Sequence, residues 1–79
     1  MQRTTPSIEV TFKEHVSLDL VRTFQEGFLG LCRTTNAGAT PRVLLLHPTP
    51  HEYHVLTLQL RELESEGALT FANKPAHAP

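Results

Sequence analysis

From Ile8 the apolar residues Ile8, Val10 and Phe12 alternate with Glu9, Thr11 and Lys13. This is the two-residue period of a strand with one dry face and one wet face. The spacing then becomes helical: Val21, Phe24, Phe28 and Leu31 form a stripe that Leu20 and Cys32 widen. Ser17 or Asp19 stands where a side-chain oxygen can satisfy a free backbone N–H at the helix start. A helix over 18–34 is predicted. Gly27 and Gly30 fall inside it, each costing about 1 kcal/mol relative to alanine. A close crossing against another element, permitted by the missing Cβ, is therefore expected there. Asn36 to Pro41 makes a loop, with Asn36 or Gly38 suited to a left-handed cap.

Val43, Leu44, Leu45 and Leu46 show no polar alternation, which predicts a central strand with both faces dry. Thr49 as N-cap, Pro50 at the first helical position and Glu52 at the third then form a capping box. The second helix, over 51–66, turns Tyr53, Leu56, Leu60 and Leu63 inward, carries Val55 and Leu58 on a separate flank, and ends at Gly67. A third strand over 68–72 follows. The expected fold class is α/β: a small two-layer βαβαβ domain, a three-stranded sheet with two helices on one face. With right-handed parallel crossovers, strand order 1-2-3 places both helices together. Residues 1–7 are expected to be a flexible N-terminal arm, 8–72 the single domain and 73–79 a disordered tail.

With both helices on one face, half of the central strand points away from them. An apolar centre with polar surroundings is a partner surface. The residues expected to carry association are Leu44, Leu46, Val55 and Leu58, with Val43 and Leu45 taking the place of the first two if the strand faces the other way.

Length raises the expectation of a partner. Seventy-nine residues make one domain, and a domain of about 60 ordered residues buries only about 60% of its unfolded surface. One cysteine, Cys32, allows no internal disulfide and no cysteine-based zinc site. The chain is 39% hydrophobic with seven Lys plus Arg against eight Asp plus Glu. That balance is globular and lacks the basic excess of a phosphate-neutralising nucleic-acid binder. The longest apolar run, Val43 to Leu46, is too short to span a bilayer. A cytoplasmic setting without membrane contact is expected.

The candidate chemistry is sparse. His47, His51 and His54 lie close in sequence beside Glu52, and His51 and His54 are one helical turn apart. Their spacing differs from zinc patterns in which a general-base Glu sits between histidines at i and i+4, so they are read as polar residues around a helix start. Cys32 lies away from a helix N-terminus, and is read as a small buried hydrophobe instead of a nucleophile. At the start of the second helix Pro50 removes a donor and Glu52 supplies its own negative charge, which disfavours a bound phosphate. No catalytic, cofactor or metal residues are assigned.

The run from Val55 to Leu69, with Leu60-Arg61-Glu62-Leu63-Glu64 and Gly67-Ala68-Leu69, resembles the recognition helix and following strand of winged-helix regulators of the HxlR type. The resemblance implies DNA binding through helix 51–66. Against it stand the strand and Pro-rich turn before that helix, where a helix-turn-helix needs another helix, and the excess of Glu62, Glu64 and Glu66 over Arg61. The segment Val43 to Pro48, with Tyr53 after it, resembles strand–His-Pro–helix segments of some phage virion proteins, which implies an accessory or structural role in a virion or prophage. The reading is thus a non-enzymatic protein–protein interaction or oligomerisation domain, a homo-oligomer or one bound to a protein partner, with DNA binding as the alternative.

Overall fold

The computed structural model describes residues 5–36 and 40–74. Among them the order is β1 (Ser7–Phe12), α1 (Leu18–Leu29), β2 (Arg33–Asn36), β3 (Val43–His47), α2 (Pro50–Ser65) and β4 (Leu69–Lys74). The strands form one sheet in the order β2-β3-β1-β4, and every neighbouring pair is antiparallel. Strands β1 and β2 are parallel to each other with β3 between them, and β3 and β4 are parallel with β1 between them. This is the split β-α-β topology of ferredoxin-like folds.

The three-stranded parallel sheet expected from the sequence is corrected to a four-stranded antiparallel one. The cause lies just after α1, which ends at Leu29 and not at 34. Gly30 caps it, its N–H donating to the carbonyls of Glu26 and Gly27. The chain turns, and Arg33–Asn36, with β-branched Thr34 and Thr35, pairs with β3 through Thr34↔Leu46 and Thr35↔Leu45. That extra strand reverses the chain once more, so β3 meets β1 antiparallel. The close crossing expected at the glycines is also absent: a Cβ on Gly27 would meet nothing within 4 Å. The assigned boundaries shift as well. Ser7 belongs to β1, and Asn73 and Lys74 belong to β4. Gly38, residues 1–4 of the expected arm and 75–79 of the expected tail lie outside the described residues.

Register explains the core. Ile8 faces Leu46, Val10 faces Leu44, and Phe12 faces Leu69, so these side chains share one face of the sheet. They join Val21 and Phe28 of α1 and Leu56 and Leu60 of α2 in a single buried cluster. Both helices therefore cover the same face, as the alternation in β1 predicts. Phe24 adds a stacked contact with Phe12, ring centroids 5.7 Å apart, that pins α1 to the sheet.

The helix ends follow from local chemistry. Ser17, not Asp19, caps α1, its Oγ accepting from the N–H of Leu20, while Asp19 stands in the first turn where the helix dipole favours a carboxylate. The predicted capping box of α2 forms in both directions: the Thr49 N–H donates to Glu52 Oε1 at 2.8 Å, and the Glu52 N–H donates to Thr49 Oγ1 at 3.4 Å. At the other end the N–H groups of Gly67 and Ala68 donate to the carbonyls of Glu64 and Leu63, with Gly67 at φ +82°, which is a Schellman closure.

Candidate functional site

The sheet face turned away from the helices is the surface the expected function concerns. Alternation places Ser7, Glu9 and Thr11 of β1, Val43, Leu45 and His47 of β3, and their partners in β2 and β4 on it. Leu45 lies at its centre, opposite Glu9 on one side and Thr35 on the other. Val43, one pleat along, lies opposite Thr11. The face thus has a short apolar ridge on the inner strand β3 and a polar surround.

Placement of the expected interface residues needs correction. Leu44 and Leu46 are 0% exposed, sealed in the chain's own core between the sheet and the helices. The period-two rule then assigns Val43 and Leu45 to the outer face, where both are half-buried. Val55 and Leu58 are 47% and 54% exposed. They sit on α2, within the helix layer, so they do not join Val43 and Leu45. The proposed set therefore splits between two opposite sides of the molecule. Val55 also borders a small cleft of about 190 Å³ with Leu31, His51 and Glu52.

At one end of the open face stands a group that the sequence does not reveal. Ser7 lies directly across from His47 in the extrapolated ladder, and its Oγ is 3.1 Å from His47 Nδ1. Thr35 Oγ1 is 2.9 Å from His47 Nε2. Both imidazole nitrogens are thus engaged by hydroxyls, which can donate or accept, so the ring is held in either tautomer. Glu9 Oε1 is 3.6 Å from Lys74 Nζ, across β1 and β4. A serine–histidine pair alone is the start of nucleophilic chemistry, but here the third group on the ring is a threonine hydroxyl and the carboxylate of Glu9 is committed to Lys74. The arrangement holds and orients a ring on a flat surface.

His47, His51 and His54 are not brought together. His47 lies on the open face, while His51 and His54 are exposed on α2 in the other layer. Among the described residues no group of three or more His, Cys, Asp or Glu side chains converges as a metal site. Cys32 is buried, and burial pushes its thiol above the ordinary range, against the smaller opposing effect of a hydrogen bond with Thr34. Helix α2 is preceded by β3 and the Pro48–Thr49 turn, not by a helix. Among the described residues no helix is long and apolar enough to cross a membrane.

The sequence placed Ser7 in a loose arm and Thr35 just past a helix. A usable signal was present, since Ser7, Glu9 and Thr11 continue one polar alternation and Thr34-Thr35 is a β-branched pair. In comparisons with known proteins, no family model, no curated protein and no solved structure matches this chain.

Proposed function

We propose that this chain is a non-enzymatic association domain that pairs with a second copy of itself through the open sheet face. The observation that carries the reading is the apolar ridge of Val43 and Leu45 on the inner strand β3, with no element of the described chain packed over it. Inner strands of a sheet with one solvated face ordinarily alternate apolar and polar residues, so an outward leucine ringed by Thr11, Glu9 and Thr35 departs from the pattern. Polar edges around an apolar centre match the anatomy of a protein interface.

The size of the face sets the strength. Four strands of up to six residues cover about 400 Å² at normal strand spacing and rise. Standard interfaces cover about 800 Å² on each partner. A pairing confined to this face is therefore weak and reversible, populated at high micromolar concentration and lost on dilution. A cytosolic setting belongs to the same proposal, because an unpaired buried Cys32 suits a reducing compartment.

Sedimentation equilibrium over a concentration series tests it. The expected result is a monomer–dimer equilibrium that Leu45→Lys abolishes, since the new ammonium meets Glu9 within its own sheet and would have to be desolvated on pairing. Leu58→Lys, in the other layer, is expected to leave the equilibrium unchanged. A monomer at every concentration, or a dimer indifferent to Leu45→Lys, overturns the reading.

A further inference from the structure

Helices α1 and α2 both lie on the sheet, but α1 leans toward β2 and α2 toward β4, and a groove of about 370 Å³ opens between them. Phe24, Phe28 and Leu63 form its apolar floor, with Thr23, Gln59 and Glu62 at the rim and Gly27 in its wall. We propose that this groove is a second docking site, distinct from the open sheet face, and that its occupant is a basic amphipathic helix of a partner protein.

Shape and charge select that occupant. A cavity of about 150 Å³ holds one benzene-sized ring, so the groove takes roughly two large apolar side chains. Two such anchors on one face of a helix stand at i and i+4 or i and i+3, and a third helix laid between two others seats its ridge in this kind of furrow. The floor is firm, because Phe24 is stacked on Phe12 and Phe28 is buried in the core. Gly27 keeps the wall low: it is exposed, a Cβ there would meet nothing within 4 Å, and no turn or left-handed backbone requires it. Gly27 stands in the last turn of α1, where a glycine costs up to about 1 kcal/mol, and an open groove gives that cost a use.

The charge of the surrounding layer fixes the sign of the partner. Helices α1 and α2, with the Glu66 cap, carry Asp19, Glu26, Glu52, Glu62, Glu64 and Glu66 against Arg22 and Arg61. Glu62 stands on the rim itself. An apolar helix face flanked by Lys or Arg is drawn to such a surface, and one flanked by Glu is repelled.

A labelled peptide of about 18 residues, with leucines on one helical face and lysines elsewhere, tests the proposal beside a twin in which glutamate replaces lysine. The expected result, by fluorescence anisotropy, is binding of the lysine peptide that weakens as salt rises from about 0.05 to 0.5 M, and no binding of the glutamate twin. Gly27→Leu fills the groove while improving helix propensity, and is expected to weaken binding at least about tenfold with the fold retained by circular dichroism. Leu45→Lys, which breaks the proposed sheet pairing, is expected to leave peptide binding unchanged, so the two proposals fail separately. Amide shifts should centre on Phe24, Gly27 and Leu63. Binding indifferent to Gly27→Leu, shifts centred on the open sheet face, or groove resonances that move with protein concentration alone, as for a second copy, would each overturn it.

Discussion

Gly67 holds a φ of +82° one residue past the C-cap of α2, where its N–H and that of Ala68 close the helix on the carbonyls of Glu64 and Leu63. A side chain there is strained by about 1–2 kcal/mol, because Cβ approaches the following carbonyl. Gly27 has ordinary helical geometry and open space around it. The two glycines therefore respond in opposite directions to the same change. Gly67→Ala should lower the midpoint of thermal unfolding, and Gly27→Ala, in the last turn of α1, should raise it by up to about 4–8 °C, corresponding to at most about 1 kcal/mol in a domain of this size. Differential scanning calorimetry of both variants checks this. Cys32 gives a pH prediction. Burial raises its thiol pKa, so the unfolded chain loses the proton first as pH rises. The stability that the neutral thiol provides is complete below its ordinary pKa and is lost as pH climbs through the raised one. Denaturant midpoints should fall above about pH 8.5, and Cys32→Ala should flatten that fall. Alkylation of Cys32 in the native state should be much slower than in denaturant.

The legibility of each element depended on whether its signal was local. β1 declared itself by alternation, α2 by its capping box and Gly67, and β3 by its apolar run, all readable within a few residues. β2 did not. Arg33, Thr34, Thr35 and Asn36 contain no large apolar residue, and only Thr34 is half-buried. Its strand character comes from pairing with β3, a partner that begins only at Val43. The hydroxyl clamp on His47 was hidden for the same reason, since Ser7 and His47 are 40 residues apart in the chain. The face of β3 was undecidable locally, because four consecutive apolar residues suit either register until β1 fixes it. Arg42 shows how such non-local order is held. Its Nη1 donates to the carbonyls of Lys13 at 2.8 Å and Val16 at 2.6 Å, and its own carbonyl accepts from the N–H of Phe12. The guanidinium thus ties the β1–α1 connection to the start of β3. Arg42→Ala should cost about 1.5–3 kcal/mol, the range for hydrogen bonds to a charged group. Hydrogen exchange should show the loss concentrated in residues 13–17. A uniform loss across the sheet would mean that the arginine acts only through general packing.

At the scale of the whole molecule, two layers present two different surfaces. The helix side carries six carboxylates against Arg22 and Arg61, while the open sheet face carries Glu9 with Arg33 and Lys74. This distribution bears directly on the DNA-binding alternative. A recognition helix must bring its base-reading side chains to the major groove through a wall of phosphates, and its flanks supply the cations that neutralise them. In this chain Glu62, Glu64 and Glu66 would meet those phosphates instead, and the element before α2 is a strand lying in the sheet. The sheet face has two cations, but among the described residues the one aromatic ring it carries is the His47 imidazole, held at one end by Ser7 and Thr35, since Phe12 and Phe71 both face the helices, and a single ring makes no platform for successive bases. No mobility shift is therefore expected with duplex or single-stranded DNA at low salt, where electrostatic binding is strongest. A shift that weakens steeply with salt and disappears in an Arg33→Ala, Lys74→Ala double variant would assign the open face to nucleic acid. It would also remove the sheet face from self-association, because the same small surface cannot serve both occupants at once.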